Sequence, residues 1–313
     1  MEQDSAVPKG TLVERRSIDF IPETERHGRL YSQFTLWLGA NLQITAIVTG
    51  ALAVVLGGDV FWSLIGLFIG QVFGGAVMAL HAAQGPKLGL PQMISSRVQF
   101  GVYGAPIPIV LVCLMYLGFT ATGTVLSGQA IGQLLGVSDS AGILIFAPVI
   151  VLVTVFGYRM IHIIGRVASV LGLVAFVYLF SRVIALGDVG QLLQIRHFSW
   201  ASFLLAVSLA ASWQIAYGPY VADYSRYLPS RTSSFGTFLA VGLGSVLGAQ
   251  IAMTLGVAIG PAMGQQPAAP NPYDLTDRNK DGRITPEEYR ARMVEVFFLL
   301  DRTTKRTPES ALV

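Results

Sequence analysis

The 313 residues are 53% hydrophobic and only 12% charged, with a formal net charge of +3 and a mean hydropathy of +0.59. A water-soluble domain carries roughly twice that charged fraction, so an ordinary soluble enzyme or binding module is excluded. The Lys and Arg residues lie between apolar blocks, with no basic stripe interleaved with aromatics, which sets nucleic acid aside as a partner.

Residues 1–30 are polar and read as a cytoplasmic N-terminal segment. They hold no cleavable signal peptide, so the first apolar block would serve for targeting. A transmembrane region, 31–264, follows. Its apolar blocks predict seven helical spans, at about 32–56, 60–82, 106–135, 141–158, 167–186, 200–222 and 235–260. About 20 apolar residues cross a bilayer at 1.5 Å rise per residue, which makes the chain an all-α polytopic membrane protein with lipid as its surroundings. Cys113, the one cysteine, lies inside an apolar block and excludes an internal disulfide.

The connecting charges are lopsided. Arg15, Arg16, Arg26 and Arg29 precede the first span; Lys87 and Arg97, Arg159 and Arg166, and Arg226 and Arg231 lie in every second connection after it. The opposite connections contribute only Arg196. Positive charge favours the cytoplasmic side, so the N-terminus is expected inside and everything after the seventh span outside.

Two spans are interrupted by polar or helix-breaking residues. "LGANLQIT" places Gly39, Asn41 and Gln43 inside the first, and "SWQIAYGPYVADYSRY" places Gly218-Pro219 inside the sixth. Proline removes a backbone donor and clashes with the preceding turn. Broken backbone at membrane depth persists where it lines a cavity or is buried by protein. Spans 1 and 6 correspond if the architecture repeats every five helices, the arrangement in which paired discontinuous helices bind ion and substrate. No phosphate loop, nucleophile elbow or zinc spacing supports an enzyme.

"FIPETERHG", "LWLGANLQIT", "AQGPKLGLPQMISSRVQFG", "LSGQAIGQLLG" and "YGPYVADYSRYLP" occur in consistent order between Phe20 and Gly260. On these stretches the chain resembles the nucleobase:cation symporter-1 family, which includes purine, cytosine, allantoin and hydantoin permeases. The resemblance implies two inverted repeats of five helices and uptake of a small heterocycle coupled to Na⁺ or H⁺. It further implies substrate contacts from Asn41 and Gln43 in span 1, Tyr116 and Thr120 in span 3, and Trp213, Gln214 or Tyr217 in span 6. Tyr116 and Thr120 stand where family members commonly carry a tryptophan and an amide. The carbonyls of Gly39 and Leu42 would hold the cation, and Asp223 with Arg226 would form a gate or structural ion pair. Only two members of the second repeat precede the change of composition near Gly264, so an oligomer or a second chain would have to supply the remaining wall.

Residues 265–313 read as a linker, "QQPAAPNP", and a tail carrying "DRNKDGRITPEE". A calcium loop needs oxygen ligands at positions 1, 3 and 5, glycine at 6, a backbone carbonyl at 7 and glutamate at 12. Asp277, Asn279, Asp281, Gly282, Arg283 and Glu288 occupy those positions. The entering helix is broken by proline, and the partner loop near Asp301 lacks ligands at Thr303 and Lys305. Calcium is therefore expected to bind weakly, at roughly 10⁻⁴–10⁻³ M. The sequence reads as a secondary transporter of a nucleobase-like heterocycle with a calcium-binding tail. The rival is a truncated or fused membrane protein that does not transport.

Overall fold

The computed structural model describes residues 18–186 and 189–264. Every regular element among them is helical. A short 3-10 turn at Glu23–Glu25 precedes α1 (Leu30–Asn41), α2 (Ile44–Val55), α3 (Val60–Ala82), α4 (Gly85–Leu88), α5 (Gln92–Ser95) and α6 (Arg97–Gly104). Then come α7 (Pro106–Leu135), α8 (Asp139–Leu186), α9 (Val189–Gln194), α10 (Trp200–Ile215), α11 (Val221–Ser225) and α12 (Ser234–Gly264). The chain divides into two compact units, Met1–Pro261 and Ala262–Val313. The calcium-type loop at 277–288 falls in the second, outside the described residues.

All seven expected spans are helical, and the two interrupted ones are broken where the sequence placed the interruptions. α1 and α2 form one span bent by 58° at Leu42–Gln43, and α3, α7 and α12 are each long and apolar enough to cross a bilayer. α10 ends at Ile215, and five turn residues separate it from α11. One expectation needs correction. Residues 159–166, expected to connect spans 4 and 5, are helical, so α8 runs for 48 residues. That is about 72 Å of helix at 1.5 Å per residue, more than twice the roughly 30 Å hydrocarbon thickness. The segment "RMIHIIGR" carries no proline and little turn chemistry, so nothing in it ends a helix.

Helices in lipid gain little from burying apolar surface and associate through close packing of small residues. α3 presents Gly66, Gly70 and Gly74 to α10, where a Cβ would press on the carbonyls of Phe203, Val207 and Ala211 in turn. α12 does the same along the broken span. Its Gly244 and Gly248 abut the Phe34 and Leu38 carbonyls of α1, and Gly256 and Gly260 abut Ile47 and Ala51 of α2. α12 therefore lies along both sides of the bend. Between these seams sit three apolar clusters, centred on Leu67 with Met253, on Trp37 with Tyr217, and on Phe176 with Leu255. Trp213 packs against all three.

α7 and α8 are joined by Gly136, whose φ of +66° favours glycine, and they pack together where Gly128 meets Ile143. The C-terminal half of α8 reaches the rest of the molecule: Ser169 lies against Gly39, Gly172 against Leu42, and Phe176 is buried beside Ala46. Elsewhere this pair leaves its apolar side chains open, with Leu114 58% and Leu117 67% exposed.

At one end of the bundle, residues 19–28 form a strap. The Ile21 N–H donates to the Gly89 carbonyl at 2.9 Å, and the His27 and Gly28 N–H groups both reach the Tyr227 carbonyl. Buried Arg26 donates to the Ile21 carbonyl at 2.9 Å and the Pro86 carbonyl at 2.6 Å. Glu23 accepts from the Ser230 N–H with both carboxylate oxygens. At the other end Asp59 caps α3 through the Trp62 N–H and accepts from the His197 N–H, tying α3 to the segment before α10.

Candidate functional site

The two helix breaks meet. Gln43 has extended backbone between α1 and α2, and its amide nitrogen donates to the Ala40 carbonyl at 2.9 Å and reaches the Tyr217 hydroxyl at 3.5 Å. Its amide oxygen accepts from Thr45. Across from it, the chain between α10 and α11 closes on itself with short turns: Gly218 N–H to Ile215 carbonyl, and Tyr220 N–H to Tyr217 carbonyl. Pro219 has no N–H to add to them. The result is a discontinuity in each of two neighbouring helices, with an exposed amide from one and aromatic residues from the other.

Those aromatics form a connected set. Trp213 stands edge-on to Tyr217 with centroids 6.0 Å apart, Tyr217 to Tyr220 at 6.0 Å, and Tyr220 to Tyr116 of α7 at 5.0 Å. Trp37 joins from α1, 5.4 Å from Tyr217 and 5.5 Å from Tyr224. The indole N–H of Trp37 is buried and has no hydrogen-bond partner among the described residues. Tyr116 is 40% exposed, and Thr120 is exposed one turn further along α7. Flat rings with polar tips at a helix break can stack a planar ligand and bond its edge.

The remaining expected ligands are deployed differently. Asn41 and Gln214 are fully buried, and their amides bond to protein. Trp213 donates its indole N–H to the Asn41 side-chain oxygen at 2.7 Å. Asn41 donates to the Trp37 carbonyl at 2.8 Å and to the Ser245 hydroxyl at 3.0 Å. Ser245 donates to the Gln214 oxygen at 2.6 Å, Gln214 to the Gln71 oxygen at 2.5 Å, and Gln71 to the Met253 sulfur at 3.0 Å. Asn41 and Gln214 thus serve the interhelical bonding open to any amide in an apolar span. The Gly39 carbonyl accepts the Leu42 N–H that caps α1, and Leu42 lies beside Gly172 of α8.

Asp223 and Arg226 are joined through backbone. Arg226 reaches the Asp223 carbonyl at 3.3 Å and the Asp19 carbonyl at 3.1 Å, while the Asp223 carboxylate accepts the Gln92 N–H at 2.7 Å. Gln92 returns the bond, its side-chain oxygen accepting the Ala222 N–H at 3.1 Å. This pair of bonds holds α11 to α5.

Sequence reasoning missed Tyr220, Trp37, Gln71 and Ser245. Gln71 in "FIGQVFGG" carries the same signal as Asn41, an amide in mid-span, and could have been found by it. Ser245 sits among small residues, where a hydroxyl draws no notice.

Comparison with known proteins identifies the family. Residues 20–284 match the family described as permease for cytosine/purines, uracil, thiamine, allantoin. A putative purine-cytosine permease of Bacillus subtilis, YxlA, is 43% identical over 233 residues, 72% of this chain and 50% of the relative. The purine-cytosine permease FCY22 of Saccharomyces cerevisiae is 28% identical over 273 residues, 83% of this chain and 51% of that protein. The chain thus spans about half the length of the curated relatives it matches. The same fold is found in the solved structure of Mhp1, a nucleobase-cation-symport-1 family transporter, in a closed conformation with bromovinylhydantoin bound. The TM-score is 0.65 at 19% identity, covering 92% of this chain and 65% of that one. The chain is a multi-pass membrane protein that belongs to the permease family for cytosine/purines, uracil, thiamine and allantoin.

Proposed function

We propose that the chain binds a flat nucleobase-type heterocycle at the paired helix breaks, as part of ion-coupled transport across the bilayer. The observation that carries this reading is the meeting of the two breaks, with the Gln43 amide beside the Tyr217 hydroxyl and the Trp213, Tyr217, Tyr220 and Tyr116 rings around them. The rings offer flat apolar surface, and Gln43 offers a donor and an acceptor for a ring edge. The relatives named as purine-cytosine permeases and the bromovinylhydantoin held by Mhp1 support a heterocycle of this class.

Coupling to Na⁺ or H⁺ belongs to the same proposal, with the Gly39 and Leu42 carbonyls at the α1 break as cation ligands. The test is calorimetry on the purified full chain with cytosine, hypoxanthine, allantoin and hydantoin, repeated with Na⁺ replaced by choline and across pH. At least one compound should bind, and more tightly with the coupling ion. No heat from any of the four would sink the reading.

The N-terminus is placed in the cytoplasm and the tail outside on the strength of the charge bias alone. A Gln266→Cys variant in a Cys113→Ala background should react with an impermeant thiol reagent on intact cells. Labelling only after lysis would reverse that orientation. Calcium binding rests on the residue pattern of 277–288. Glu288→Gln in the full chain should abolish it, and unchanged affinity would remove calcium from the account.

A further inference from the structure

The six side chains from Trp213 to Met253 form a hydrogen-bond chain whose direction is set at its ends. An indole N–H can only donate, so Asn41 must turn its oxygen to Trp213 and its nitrogen to Ser245. Ser245, receiving that bond, has one proton left and gives it to the Gln214 oxygen. Gln214 must then donate to Gln71. Gln71 donates in turn to the Met253 thioether, which can only accept. Every bond points the same way, from α10 through α1, α12, α10 and α3 back to α12. Asn41, Gln71 and Gln214 are fully buried, as is Ser245, and lipid offers no substitute partner for any of them. Reversing Gln71 would set donor against donor at Gln214 and acceptor against acceptor at Met253, reversing Gln214 would set acceptor against acceptor at Gln71, and reversing Asn41 would set donor against donor at Trp213.

We propose that Asn41, Ser245, Gln214 and Gln71 form a one-way relay that holds the Trp213 ring in a single orientation at the helix breaks. They are positioning residues for that ring and do not bond the heterocycle. The consequence for binding rests on the proposed role of Trp213; the relay itself does not.

The test uses the full chain with ¹⁵N-labelled tryptophan in detergent or nanodiscs, reading indole N–H correlations. The four tryptophans are assigned by Trp→Phe variants. Ser245→Ala and Gln71→Leu remove relay members that are not bonded to Trp213. Both should shift the Trp213 indole signal and speed its hydrogen exchange. Ser63→Ala, a buried hydroxyl of α3 outside the relay, should leave that signal in place. A Trp213 signal unmoved by both relay variants, or moved equally by Ser63→Ala, overturns the relay. Cytosine affinity should fall about tenfold in Ser245→Ala, the scale of one lost hydrogen bond. Unchanged cytosine affinity in Trp213→Ala would remove the stacking role and leave the relay to be judged by its N–H signal.

Discussion

Two regions of this molecule are equally apolar and built on different terms. In the bundle of α1, α2, α3, α10 and α12, glycines bring backbones into contact, and the buried amides of Asn41, Gln214 and Gln71 are tied together by hydrogen bonds. In the α7–α8 arm, leucines and valines point outward, and Gly118 and Gly123 have nothing within 4 Å of where a Cβ would stand. Lipid is as apolar as the side chains it replaces, so hydrophobicity alone keeps a helix in the membrane without fixing its neighbours. The bundle is specified by shape and polarity, the arm mainly by composition.

The sharpest way to break that contrast is a glycine exchange. Gly70→Leu drives a side chain into the Val207 carbonyl and should abolish recovery of folded protein by size-exclusion chromatography in detergent. Gly118→Leu should elute unchanged; equal loss in both would erase the distinction. Leucine truncation is the next largest effect. Leu67→Ala, at a site with no exposure, should destabilise by about 2–5 kcal/mol in reversible denaturation. Leu117→Ala on the arm should stay within about 0.5 kcal/mol.

Where the two regions face each other, ring removal measures whether both contribute to binding. Trp213→Ala and Tyr116→Ala should each weaken a bound heterocycle by about 1–3 kcal/mol, the scale of base–aromatic stacking. Loss only for Trp213 would confine the site to the bundle. The smallest effect concerns the α5–α11 tie. Asp223→Ala leaves the Gln92 N–H unmatched and should cost about 1 kcal/mol. Asp223→Asn keeps the acceptor and should cost less in the same thermal-unfolding assay.

The sequence disclosed both breaks because glycine, proline and amides are conspicuous against leucine and valine. Span limits at 60–82 and 106–135 coincide with α3 and α7, where Asp59 and Pro106 mark the starts. The continuity of α8 is hidden in the sequence because Arg159 and Arg166 have the look of a connection, although two charges do not stop a helix. Within the site, the sequence named Asn41 and Gln214 but could not say that they face each other's partners. That depends on α12 passing between α1 and α10 with Ser245 at the right turn, a tertiary fact without local signature. Tyr220 was overlooked for the opposite reason: four tyrosines crowd the stretch from Tyr217 to Tyr227, and spacing alone does not choose among them.

α12 acts on the broken span as a splint acts on a fracture: it fixes the angle at which the pieces were set. Because its glycines hold α1 before the bend and α2 after it, straightening the 58° angle would strip one half from its seam. The three helices therefore have few internal degrees of freedom and travel as one lever. Contact is sparse between this lever and α7, so a rearrangement at the proposed site would be taken up there. Paired spin labels on α1 and α2 should report one distance with and without cytosine. A pair spanning α12 and α7 should report the displacement.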